Sequence, residues 1–207
     1  LARMGYKAEI EISRHGFYPK GGARVQIIGH PCKIFRPLRL EDAGEAKLVR
    51  GLSIASSHLQ RARVADRQAH AARQALARDG LEAEIDCAYV DAACPGSGIA
   101  LWAETTTNAL IGGDCVGERG KPSEQVGEDA AAQMLKTLRE KAAVDEHLSD
   151  QLLIFMALAE GTSVITAPKL TDHAKTNIHV IQQFLPVQFQ ARENGVVVLE
   201  CSGRREP

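Results

Sequence analysis

The chain has 207 residues, room for one large domain or two small ones. Lys and Arg total 25 against 26 Asp and Glu, a formal net charge of -1 that excludes a polybasic, histone-like nucleic-acid binder but not a local basic patch. With 44% hydrophobic and 25% charged residues the chain is no disordered polymer, and 4% aromatics argue against a platform of many stacked bases.

Leu1-Ala2-Arg3-Met4-Gly5 reads as the tail of a helix stopped by glycine, and suggests a cut upstream. No signal-peptide pattern and no apolar run of membrane-spanning length follow, so no membrane association is expected. Residues 6–13 alternate as a strand, 14–22 form a Gly/Pro loop and 23–29 a second strand, which together predict a long hairpin. A short strand is expected near Ile34–Leu40, and the polar run Glu41–Lys47 is a plausible boundary.

Residues 48–56 read as a strand and 59–79 as a helix stopped by Asp79-Gly80. Strands are expected at 81–90, 98–105 and 108–116, with a turn at Cys94–Gly98. A helix from about Ser123 to Ala143 carries Glu124, Glu128 and Asp129 early and Lys136, Arg139 and Lys141 late, matching the helix dipole. Then come an amphipathic helix at 145–160, a strand at 162–167 and a helix at 171–184 with Ile178, Ile181 and Leu185 on its apolar side. A hairpin of 187–192 and 196–201 turns at Glu193-Asn194-Gly195. The order β–(insert)–αβαββ predicts an α/β sandwich with helices on one face of a four-stranded sheet. The expected division is 1–41, an inserted small α/β domain at 42–140, and 141–207.

Cys32, Cys87, Cys94, Cys115 and Cys201 are odd in number and widely spaced, which favours reduced thiols and a cytoplasmic setting over a zinc site. The glycine-rich stretches fit neither GxxxxGK[ST] nor GxGxxG and read as turns. Arg63, Arg67, Gln74 and Arg78 fall near one face of the 59–79 helix, either a solvated surface or a phosphate-tracking one. His173 lies in the first turn of the 171–184 helix, with Asn177 one turn later. A helix N-terminus favours a phosphate and disfavours imidazolium, so a neutral imidazole there can attack phosphorus. On the preceding helix Glu146 and Asp150 share a face, beside His147 and Gln151, and such carboxylates can hold Mg²⁺ or orient a histidine. The competing reading is a helix capped by Thr171 or Asp172 with a surface histidine.

Four segments in order carry a resemblance: RHGFYPKGG (14–22), GERGKPSEQVGEDAA (117–131), DEHLSDQLL (145–153) and HAKTNIHVIQQFLP (173–186). Together they resemble the RNA 3'-terminal-phosphate cyclase family. The resemblance implies stacked βαβαββ repeats with a small domain inserted in the last one. By that template the chain starts at the end of the second repeat and lacks an N-terminal portion, leaving apolar edges uncovered. It further implies an ATP-dependent enzyme, a ligase that works with Mg²⁺ or Mn²⁺ on an RNA 3'-phosphate end and leaves a 2',3'-cyclic phosphate. His173 is the implied nucleophile that takes AMP from ATP. Asp150 and Gln151 are the implied nucleotide-holding pair, and His147 stands where the family often has an aromatic that stacks on adenine. The oligomeric state is open, with a homodimer one option. Two other readings are a non-catalytic cyclase-like protein of ribosome biogenesis, against which His173 argues, and an enolpyruvyl-transferase-like repeat enzyme.

Overall fold

Alternation and turn chemistry decide the first element. In the computed structural model, which describes residues 1–204, β1 (Ala8–Arg14) pairs antiparallel with β2 (Arg24–Gly29). The register places Ile10 opposite Ile27 and Ile12 opposite Val25, so these four side chains line one face. All four are exposed. Ahead of this hairpin a single helical turn, Ala2–Met4, ends at Gly5, whose φ of 94° suits glycine. β3 follows as a very short strand, Arg39–Leu40.

The middle of the chain forms β4 (Ala46–Ser56), α1 (Val64–Arg78), β5 (Ala83–Val90), β6 (Ser97–Thr105), β7 (Leu110–Val116) and α2 (Ser123–Glu140). The strands make one sheet in the order β5-β4-β6-β7, with β4 parallel to β5 and antiparallel to β6. Period-two alternation gives it one dry face. Val49 pairs with Ala103 and Gly51 with Leu101, all buried, while Arg50 opposite Trp102 lies on the exposed face. Ala69, Ala72 and Leu76 of α1 and Val126, Ala130 and Met134 of α2 close the dry face. Each large apolar side chain fully buried there contributes about 1.5–3 kcal/mol.

Small residues let the two helices approach closely. At Gly127 an added Cβ would run into the Gln68 carbonyl oxygen and lie 3.0 Å from the Ala72 nitrogen. Gln68 itself is fully buried and satisfied. Its side-chain oxygen Oε1 accepts from the Ser53 hydroxyl at 3.0 Å, and its side-chain amide Nε2 donates to the Ser97 hydroxyl at 2.8 Å.

The last part supplies α3 (Glu146–Leu158), β8 (Ser163–Ala167), α4 (Asp172–Phe184), β9 (Phe189–Asn194) and β10 (Val196–Cys201). β3 pairs parallel with β8, and β10 pairs antiparallel with both β8 and β9, giving the order β3-β8-β10-β9. From β3 onward, with the middle segment set aside, the chain order is βαβαββ, the α/β arrangement expected from the sequence. Ile165, Ala167, Val197 and Leu199 share a core with Leu152, Leu153 and Met156 of α3 and Ala174 and Ile181 of α4. Leu40 packs against this core and against the core of the middle sheet.

Several boundaries differ from expectation. The strand near 34–40 is reduced to two residues. Pro37 has no N–H for a ladder, and Phe35 makes only an isolated bridge to Ala159. The helix expected over 59–79 starts at Val64, because Arg63 adopts a left-handed φ of 51° that ends any helix running through it. The helix expected to reach Ala143 stops at Glu140, where Lys141 turns left-handed at φ 56°. The last hairpin starts at Phe189 and turns at Gly195, φ 74°. All five cysteines are free thiols, as expected, and no helix among the described residues is long and apolar enough to cross a membrane.

Candidate active site

The helices α3 and α4 carry the residues of interest, and each is fixed by a cap and a buried face. Asp145 caps α3, its carboxylate accepting from the His147 and Leu148 backbone N–H groups, each at 2.8 Å. Leu152, Leu153 and Met156 bury the helix against its core, which turns His147 and Gln151 to solvent. Thr171 caps α4, its hydroxyl accepting from the Ala174 N–H at 3.0 Å. Ala174 and Ile181 form the buried face of α4, so His173 and Asn177 are exposed.

One bond joins the two helices at this place. The Asn177 side-chain amide donates to a carboxylate oxygen of Asp150. His173 stands one turn before Asn177, in the first turn of α4, where helix N–H groups have no partner within the helix. The cap by Thr171 thus coexists with an exposed imidazole at a helix N-terminus. The structure therefore brings together Asp150 and Asn177, with His173 one turn along. No side-chain hydrogen bond joins His147, Gln151 or His173 to the pair among the described residues.

Glu146 behaves differently from its helix neighbour. Glu146 and Asp150, which the sequence places on one face, have different partners. Glu146 accepts from Lys169 at 2.9 Å and from Lys136 at 3.0 Å, while Asp150 is held by Asn177. The two ammonium groups, Lys169 first, hold the Glu146 carboxyl below the ordinary carboxylate range. Glu146 ties the start of α3 to α2 and to the segment leading into α4. Nothing in local spacing foretold this, because its partners lie 10 and 23 residues away. Among the described residues no three His, Cys, Asp or Glu side chains converge as metal ligands. Beside the imidazole, the Asp172 carboxyl is also lowered, chiefly by Lys175 at 3.0 Å. Two clefts, of about 590 and 660 Å³, lie elsewhere, against α1, α2 and the strands they cover.

A family model described as RNA 3'-terminal phosphate cyclase matches residues 1–191. The RNA 3'-terminal phosphate cyclase of Pyrobaculum aerophilum is 41% identical over 205 residues, covering 98% of this chain and 58% of the relative. The chain belongs to the RNA 3'-terminal phosphate cyclase family. Cyclases so named from Methanopyrus kandleri, 42% identical over 200 residues, and Methanosarcina barkeri, 41% over 192, match 93% and 92% of the chain. The chain spans only 56% and 54% of those two proteins, so it corresponds to a little over half of a cyclase of this family.

Proposed function

We propose that this chain carries the nucleotidyl-transfer histidine of an ATP-dependent RNA 3'-terminal phosphate cyclase. The observation that carries the reading is the exposed His173 imidazole, in the first turn of α4, one turn from the Asn177–Asp150 bond. In the proposed sequence a neutral imidazole nitrogen attacks the α-phosphorus of ATP. An N–P bond forms, the P–O bond to pyrophosphate breaks, and pyrophosphate leaves. A 3'-phosphate oxygen of the RNA then takes the AMP, which frees the imidazole. Finally the neighbouring 2'-hydroxyl attacks the 3'-phosphorus, loses its proton and expels AMP, leaving the 2',3'-cyclic phosphate.

The helix end suits the first step. Its partial positive charge favours phosphate oxygens nearby. Asp150, oriented by Asn177, and Gln151 are assigned to holding the nucleotide, and His147 to the adenine face. The described residues of this chain form no cage for a divalent cation, and Glu146 is occupied by two lysines. In this reading Mg²⁺ or Mn²⁺ comes with the phosphates of ATP.

The test joins the remaining part of the Pyrobaculum aerophilum relative to this chain and assays an RNA ending in a 3'-phosphate. The chimera should make that end resistant to phosphatase in the presence of ATP. His173→Asn should lower the rate by roughly 10³-fold or more. A His173→Asn chimera that cyclises at the original rate contradicts the assignment.

A further inference from the structure

The larger cleft, of about 660 Å³, lies at the start of α1, where Arg61, Arg63, Arg67, His70 and Arg73 line it together with Cys87 of β5 and Glu124 of α2. Four guanidinium groups meet two carboxylates there, Asp66 and Glu124, an excess of two positive charges on a chain whose net charge is -1. The carboxylates are already engaged. Glu124 accepts two bonds from Arg67, at 2.7 and 2.8 Å. Asp66 accepts from the Tyr89 hydroxyl at 2.6 Å, and Arg63 approaches its other oxygen at 3.4 Å. Arg73 donates to the Ile85 carbonyl and needs no carboxylate. Arg61 makes no ion pair among the described residues, and Arg61 and Arg63 are exposed.

The shape of the cluster selects the kind of anion. Arg63, Arg67 and His70 recur at helical spacing, and the row from Arg63 to Arg73 covers roughly 15 Å of helix, more than one phosphate occupies. No Phe, Tyr or Trp is among the residues that line the cleft, so it offers no large ring on which to stack a base. Guanidinium groups suit phosphate oxygens through paired N–H donors. We infer that this cleft binds the sugar–phosphate backbone of single-stranded RNA. It grips the strand away from the reacting end and without regard to its sequence. The inference rests on the reading of the substrate as RNA, but it concerns residues that take no part in nucleotidyl transfer.

Fluorescence anisotropy with a short labelled single-stranded RNA and the 207-residue chain tests it. Arg61→Ala combined with Arg63→Ala should weaken binding roughly tenfold at low salt. It should also flatten the log–log salt dependence by about 1.4, two contacts at about 0.7 each. Arg61→Lys with Arg63→Lys should restore most of that slope. Arg61→Glu alone, outside α1, should weaken binding in the same direction. Lys7→Ala with Lys33→Ala removes the same charge at exposed positions away from the cleft and should leave affinity within about twofold. RNA ending in a 3'-hydroxyl should bind as well as RNA ending in a 3'-phosphate.

Unchanged binding by both the Arg61/Arg63 double-alanine variant and Arg61→Glu overturns the proposal, as does an equal loss in the Lys7/Lys33 variant. Binding that requires the 3'-phosphate overturns the backbone reading. Binding of inorganic phosphate or ATP that depends on Arg61 and Arg63, while RNA binding does not, would show a small-anion pocket instead. His173→Asn should bind RNA normally. AMP transfer retained by the His173→Asn chimera, with this binding intact, therefore marks failure of the cyclase reading and not of the cleft.

Discussion

Glu146 is the residue whose role departs furthest from what its helix position suggests. It receives Lys169 and Lys136, and their charges hold its carboxyl below the ordinary range. A depressed carboxyl contributes stability that is present above the unfolded value, about 4.5, and is lost as pH falls through the lower folded value. The lysines are largely exposed, with side-chain exposures of 59% and 61%, so the two pairs together are worth only about 0.5–1 kcal/mol. Glu146→Gln should therefore lower unfolding stability by about that amount at neutral pH. The difference from the parent should vanish as the solution is acidified below the folded value. Urea unfolding of both chains across that range measures it. A constant difference would mean that packing, and not charge, holds the start of α3.

At the scale of elements, the contact between α1 and α2 depends on the absence of a side chain at Gly127. A Cβ there meets the Gln68 carbonyl oxygen, which belongs to helix backbone and cannot swing aside. Gly127→Ala gains about 1 kcal/mol in helix propensity. Forcing the helices apart costs about 1–3 kcal/mol or more, and it also disturbs the buried Ser53–Gln68–Ser97 chain of hydrogen bonds. The expected outcome is a net loss in denaturant-unfolding stability; a stabilised variant would show that the helices have room to spare. The helices and hairpins themselves were legible because their signals are local. Period-three-to-four apolar residues mark α3 and α4, the acidic start and basic end mark α2, and glycine turns mark the hairpins. What could not be read depends on distant partners or single backbone conformations. The left-handed turn at Arg63 shortens α1. The bond from Asn177 to Asp150 spans 27 residues, and only the position of Asn177 one turn after His173 hinted at it.

For the whole molecule, the two four-stranded sheets bury separate cores, and the β1–β2 hairpin leaves Ile10, Ile12, Val25 and Ile27 on one open face. The loop of that hairpin is nonetheless anchored. Phe17 packs where a side chain at Gly96 would otherwise stand, and its carbonyl oxygen accepts from the buried Cys94 thiol at 3.2 Å. The segment similar to a family hairpin signature is thus fixed to the β5-β4-β6-β7 unit, while α3 and α4 present His173 on a different sheet. The assignment of His173 turns on which atom of this protein accepts AMP. The direct measurement is to incubate the chimera with ATP, digest it under non-acidic conditions and locate the added nucleotide by mass spectrometry. AMP should be found on the peptide bearing His173, at the imidazole, lost on brief acid treatment and absent from His173→Asn. AMP on Lys169 or Lys175, or no covalent nucleotide at all, would contradict it.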